Sequence, residues 1–313
     1  MGKDLVFMQV PIYGQMKQNR RRTFFLFFFF AFLFFAVGYG IGFYLGEPLV
    51  GLIVVGIIAL IIFLISYFNG QSIVTSMAGA RPVTREQEPY LYHTIEGLSI
   101  AAGIPVPKAY IIETEVPNAF AAGRNPDKAV VAVTRGLLNR LNRVELEGVI
   151  AHEIAHIKNY DVLLATVAVV LAGTIVLLSE IARRSLWYGR GMRRGGGRGG
   201  GKGQALVLLV ILLLAILAPL FARLLKFAIS RQREYLADAS AAELTGYPEG
   251  LASALEKITG MQEADSPINR EALQGLYIVN PAMGARSNRQ RGSKHLFASH
   301  PPPEDRVKRL REM

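Results

Sequence analysis

A chain of 313 residues in which 51% are hydrophobic and only 19% charged is not composed like a soluble domain, and its positive mean hydropathy points the same way. It contains no cysteine, which excludes a disulfide framework and restricts metal ligands to histidine and carboxylate. The net charge of +11 lies in clusters, so its placement carries more information than its sum.

Lys3, Lys17, Arg20, Arg21 and Arg22 precede the first uncharged apolar run, residues 23–45. A bilayer crossing takes about 20 apolar residues, and basic residues flanking a first span predict a cytoplasmic N-terminus. The run is too long for the apolar part of a secretory signal, and no small-residue cleavage site follows it. Gly46, Glu47 and Pro48 break it before a second run at 49–68, which reads as a tight transmembrane hairpin within a unit spanning residues 1–69. Gly38, Gly42 and Gly46 recur every four residues, so they either line a close helix–helix contact or are simply scattered through an apolar helix.

Residues 70–161 form the first long polar segment and would be cytoplasmic. Residues 107–122 hold a β-rich AYII run followed by NAFAA, and 129–134 (AVVAVT) read as a further strand of a small sheet. An edge strand at Asn118, Ala119 and Phe120 beside a catalytic site would bind an extended substrate through its backbone; the alternative is an ordinary sheet strand. Residues 142–161 follow, with apolar positions at Val144, Leu146, Val149, Ile150, Ile154 and Ile157 that suit an amphipathic helix. Within it lies HEIAH. His152 and His156 are four residues apart on one helical face, so both imidazoles can hold one ion. Glu153 is placed to take a proton from a metal-bound water as that water attacks a carbonyl. The pattern is that of a zinc peptidase with one zinc per subunit; the bland alternative is two histidines on a helix surface.

Two further apolar runs, 162–179 and 205–222, are short enough to tilt or to insert only partway. Between them, residues 183–204 are glycine-rich and carry Arg183, Arg184, Arg190, Arg193, Arg194, Arg198 and Lys202. If both runs span, this basic loop lies outside, against the positive-inside tendency. It reads as a linker, with RNA or anionic-lipid binding as the alternative. After the unit 162–229 comes a helical pattern at 230–246, where Glu234 is the candidate third ligand and Asp238, one turn on, could orient a ligating imidazole. A hairpin of the two runs would bring this helix beside HEIAH. The alternative makes Glu234 a solvated carboxylate paired with Arg231 or Arg233.

Four segments, PNAFAAGRNP at 117–126, AVTRGLLNRLNRVELEGVIAHEIAHIKNYD at 132–161, SRQREYLAD at 230–238 and FASHPPPEDRVKRL at 297–310, resemble in this order the membrane metallopeptidase family that contains the HtpX heat-shock protease and the Ste24 CaaX prenyl protease. The resemblance runs from about residue 70 to the end. It implies an α+β membrane protein, with about four transmembrane helices and a gluzincin-like zinc peptidase domain built from 70–161 and 230–313. It further implies His152, His156 and Glu234 as zinc ligands, Glu153 as general base, and Asp238 as the acid behind the ligands. It implies endoproteolysis of damaged or misfolded membrane proteins in the cell (inner) membrane, with the site facing the cytoplasm. Self-cleavage fits such an activity, and no nucleic-acid partner is expected.

His300, in SHPPPEDR, either donates a hydrogen bond to the tetrahedral oxyanion or is structural at a proline-rich turn with Arg306 in a nearby ion pair. His93 and His295 read as structural or surface residues. A prenyl protease, a transporter with a cytoplasmic metal-binding domain and a pseudoprotease adaptor are the competing readings. Charge-free membrane runs weigh against the transporter, and the presence of Glu153 weighs against the adaptor.

Overall fold

The structure, a computed structural model, describes residues 12–174, 184, 231–260, 278 and 301–313. The fourth apolar run, the basic loop 183–204 apart from Arg184, and His300 lie outside the described residues.

The first two runs form the expected hairpin, from α1 (Ile12–Leu45) and α2 (Pro48–Met77). Its glycines divide their work. A Cβ on Gly38 would lie 2.8 Å from the Gly51 carbonyl oxygen, and one on Gly42 would lie 2.6 Å from that of Glu47, so both permit backbone contact between the helices. Gly46 instead takes φ +90° and makes the turn. Large apolar side chains such as Phe28, Phe43, Leu49 and Ile57 stand exposed along the hairpin, as lipid-facing residues do. Residues Phe27–Leu45 and Pro48–Met77 are the two helices among the described residues long and apolar enough to cross a membrane.

α2 outruns the sequence expectation. Its 30 residues extend about 45 Å, against about 30 Å of hydrocarbon. The surplus turns reach into the polar domain that follows. There a four-stranded mixed sheet has the order β1 (Ala80–Pro82), β2 (Lys108–Ile112), β4 (Ala129–Thr134), β3 (Ala119–Gly123), with β2 and β4 parallel and the outer pairs antiparallel. Strand periodicity sends alternate residues to opposite faces. Ala109, Ile111, Ala119, Ala121, Val131 and Val133 enter the main core. Ile112, Phe120, Ala122, Val130 and Ala132 face Val74 of α2 and Val169 and Val170 of the helix that opens the third run. Burial on both faces explains why AFAA and AVVAV lack polar alternation.

The main core is covered by α3 (Pro89–Ala102), α4 (Arg135–Arg140), α5 (Arg143–Lys158), α7 (Arg231–Thr245), α8 (Pro248–Gly260) and α9 (Pro303–Arg311). α5 carries HEIAH. It opens with a capping box in which Asn142 and Glu145 each satisfy the other's backbone amide. It is not the amphipathic helix that its spacing suggests. Eleven of its residues, including Glu145, His152 and Glu153, are buried, because the sheet, α3, α7 and α8 enclose it on all sides. Glu145 tolerates this by bonding Ser253 Oγ at 2.6 Å and Lys257 Nζ at 2.8 Å.

The third run begins as α6 (Asp161–Thr174), bent 88° from α5. Tyr160 makes the corner at φ +60°, the only positive φ outside glycine among the described residues. Val162, Leu164, Val167, Val169 and Leu171 of α6 are buried in protein, so this part of the run is shielded from lipid.

Candidate metal centre

α5 and α7 pack side by side, and their polar groups meet within the core. His152 Nε2 and His156 Nε2 are 3.1 Å apart. Glu234 Oε2 lies 3.7 Å from the first and Glu234 Oε1 3.6 Å from the second. Zinc bonds of about 2.0–2.1 Å at tetrahedral angles separate ligand atoms by roughly 3.3–3.4 Å, so the two imidazole nitrogens and the Glu234 carboxylate that faces both are spaced much like three ligands of one tetrahedral ion. They are the one group among the described residues able to hold a metal in this way.

The hydrogen bonds behind the ligands argue for a cation more strongly than the distances do. His152 Nδ1 lies 2.9 Å from Asp238 Oδ1, and His156 Nδ1 lies 3.1 Å from Asp161 Oδ2. Each Nδ1–H donates outward, which turns the Nε2 lone pairs toward each other and toward a carboxylate. Three electron-pair donors converging on one buried point require a positive charge between them. The residues fit zinc.

Each carboxylate is backed in turn by a guanidinium. Arg306 of α9, 1% exposed, grips Asp238 with Nε at 2.8 Å and Nη2 at 2.6 Å, and its Nη1 donates to the Ile278 carbonyl at 3.0 Å. Arg233 Nη1 lies 3.8 Å from Asp161 Oδ1. Asp161 escapes a sequence reading: it ends the quoted HEIAHIKNYD segment, and only the bend at Tyr160 returns its carboxylate to His156. Arg306 entered that reading as an ion-pair partner, with no sign that it would be buried against the ligands.

The protein groups alone set unlike proton affinities. Burial, with the charges of Arg306 and His156, lowers His152 to about 4. Burial also lowers His156, but the hydrogen bond to Asp161 and the charges of Glu234, Asp161 and Glu153 outweigh it and raise this imidazole to about 9. Burial, aided by the charge of Glu234, raises Glu153 to about 7. Burial works against ionised Asp238, yet Arg306 holds it below the usual carboxylate range. At neutral pH one proton therefore sits on His156 between the two Nε2 atoms, where a cation would replace it.

Glu153 is 2% exposed and accepts a hydrogen bond from the Ala121 backbone amide, which sets this carboxylate against β3. β3 is an edge strand, and its register refines the expected substrate residues. The Thr134 amide donates to the Asn118 carbonyl at 2.9 Å, so Asn118 and, by alternation, Phe120 direct their backbones to β4. Both side chains are buried. Ala119 and Ala121 face the outer edge, and the Ala119 carbonyl already accepts from the Ile278 amide at 3.1 Å. His93 is exposed beside Glu96, remote from this cluster.

Comparison with known proteins agrees with the geometry. The pattern of Peptidase family M48 matches residues 85–313. The chain is 48% identical over 303 residues to a protease HtpX homolog of Dictyoglomus thermophilum, covering 96% of this chain and 94% of that protein. It is 44% identical over 303 residues to a protease HtpX homolog of Streptococcus gordonii, covering 96% and 100%. A crystal structure of S. mikatae Ste24p shares the fold at a TM-score of 0.50 and 18% identity, over 96% of this chain and 67% of that one. A buried HEIAH helix met by a carboxylate from a second helix, in a chain anchored by apolar helices, thus belongs to a membrane metallopeptidase of family M48.

Proposed function

We propose that the chain is a membrane-embedded zinc endopeptidase that cleaves unfolded or misassembled membrane proteins at the cytoplasmic surface of the cell membrane. The observation that carries this reading is the convergence of His152 Nε2, His156 Nε2 and Glu234 on one point, with each imidazole tied by a carboxylate at its other nitrogen. Zinc bound there would polarise a carbonyl and lower the pKa of its water to about 7. His152, His156 and Glu234 hold it; Asp238 and Asp161 fix the two rings.

Glu153 is the general base. Its raised proton affinity suits a group that must take a proton near neutral pH and pass it to the leaving amine. An extended substrate pairs with the outer edge of β3 through the Ala121 carbonyl, and through the Ala119 carbonyl once its bond to the Ile278 amide is exchanged, which gives affinity with little demand on sequence. His300 is assigned to the oxyanion. The orientation rests on the basic residues that precede the first span and on the peptidase domain lying at the far end of α2. Self-cleavage is a natural by-product of such an activity.

The test is Glu153→Gln in the full chain in detergent, with metal content and casein cleavage measured together. Zinc should stay bound at one per chain while cleavage falls by roughly 10²–10⁴, the usual worth of a positioned base. Cleavage at the wild-type rate would remove Glu153 from the reaction.

A further inference from the structure

The GRNP end of the 117–126 motif takes no part in the metal centre, and its arginine has an unusual position. Arg124 follows β3 directly, and its guanidinium stands over two rings of α2, 5.6 Å from the centroid of Tyr67 and 5.1 Å from that of Phe68. No carboxylate among the described residues pairs with it; Asp127 and Lys128, farther along the same loop, are exposed. The two rings mark a boundary. Counted from the turn at Gly46 and Glu47, about 20 apolar residues bring α2 to Tyr67 and Phe68, after which its sequence becomes NGQS. Aromatic side chains at that depth lie at headgroup level, and Phe68 is 57% exposed. Beside them a cavity of about 10 Å³, room for roughly one water, is lined by polar Gln71, Thr166 and Arg124. Thr166 Oγ1 also receives the Gly123 amide at 2.9 Å, which fixes the end of β3 against α6.

This half-buried guanidinium stacks on aromatic faces at the level of lipid headgroups and meets no anion among the described residues. Its planar fork matches a phosphate. We infer that Arg124, seated on Tyr67 and Phe68 where the α2 span ends, binds the phosphate of an anionic phospholipid headgroup and so ties the edge strand β3 to the bilayer surface.

A local reporter separates this site from the basic residues elsewhere in the chain. Trp187 is the single tryptophan, so the full chain carrying Glu153→Gln, Trp187→Phe and Phe68→Trp reports on residue 68 alone, without self-cleavage. Reconstituted in phosphatidylcholine vesicles, its fluorescence is quenched by chain-brominated phosphatidylglycerol or chain-brominated phosphatidylcholine at equal mole fraction. One basic side chain near an anionic surface is worth about fivefold in lipid preference. The anionic lipid should therefore quench preferentially by about that factor. Arg124→Gln should bring the ratio near one, and Arg124→Lys should leave it between. Zinc content, unchanged across the series, shows that each variant is folded. An equal ratio for both lipids in the parent, or a preference that survives Arg124→Gln, overturns the inference. So does loss of the preference in excess inorganic phosphate at matched ionic strength, which would make a soluble phosphate the ligand.

Discussion

Asp161→Asn tests the metal centre where its two electrostatic effects oppose each other. The substitution keeps an oxygen that can accept from His156 Nδ1, 3.1 Å away, but removes the charge. Removing such a partner ordinarily costs 10- to 100-fold in metal affinity, or ~1.4–2.7 kcal/mol. Working against that loss is the proton. His156 is raised to about 9 by Asp161 and its neighbours, so at pH 7 zinc must displace a proton held about two units too tightly, a penalty of about 100-fold. The sign is fixed by the direction of the shift. Because the raised imidazole is protonated below its pKa, zinc affinity of the wild type should climb about tenfold per pH unit from 7 to 9 and level off above.

Asp161→Asn removes the foremost cause of the raised affinity for that proton, so its zinc binding should climb less steeply. The two proteins are expected to differ by less than about tenfold at pH 7 and by the full 10- to 100-fold near pH 9. Competition against a chelator of known affinity gives both curves. Titration calorimetry in buffers of different ionisation enthalpy gives the protons released, close to one per zinc for the wild type at pH 7.5 and fewer for the variant. A deficit of the same size at every pH, or parallel slopes, would refute the claim that Asp161 holds the proton on His156.

Arg306→Met strands the charges of Asp238 and Glu234 in the core and should destabilise the protein by ~3–5 kcal/mol. Thermal unfolding in detergent measures this, and the double variant with Asp238→Asn should be less damaged than the sum of the singles. Glu234→Ala removes one of three ligands; bound zinc should fall well below one per chain by atomic emission, and full occupancy would take Glu234 out of the site. Gly42→Leu forces a side chain to within contact of the Glu47 carbonyl and should open the α1–α2 hairpin, seen as increased protease access at Glu47. Gly42→Ala should do so less.

The candidate ligands were more legible in the sequence than their setting. HEIAH, Glu234 and Asp238 announce themselves because helical periodicity alone puts the chemical groups at i, i+1, i+4 and again at i, i+4 on common faces, and periodicity needs no knowledge of the fold. The strands at 108–112 and 129–134 were legible for a similar reason. What no local rule could supply is the angle between helices. An 88° corner at Tyr160 turns a residue five places beyond His156 into its hydrogen-bond partner, and nothing about Asn159, Tyr160 or Asp161 as residue types announces a left-handed corner. The amphipathic reading of α5 failed for a related reason: Glu145 and the HEIAH polar groups look like a solvent face until capping partners and ligands bury them. The length of α2 was hidden because Gln71, Ser72 and Thr75 read as the end of a span, when in fact the helix continues under the sheet.

That continuation changes what the membrane helices do. α2 passes its last turns across one face of the sheet, and α6 packs on the same face through Val169 and Val170. The opposite face of the same strands bears Ala119 and Ala121, and the Ala121 amide bonds Glu153. Asp161 is at once the first residue of α6 and the partner of His156. α2, which meets lipid, is thus one layer from the proposed general base, and α6 is one hydrogen bond from a proposed ligand. An apolar anchor that served only as a tether would need neither contact. Any tilt of α6 relative to the sheet must move Asp161, and through it the ring of His156, before it moves anything exposed.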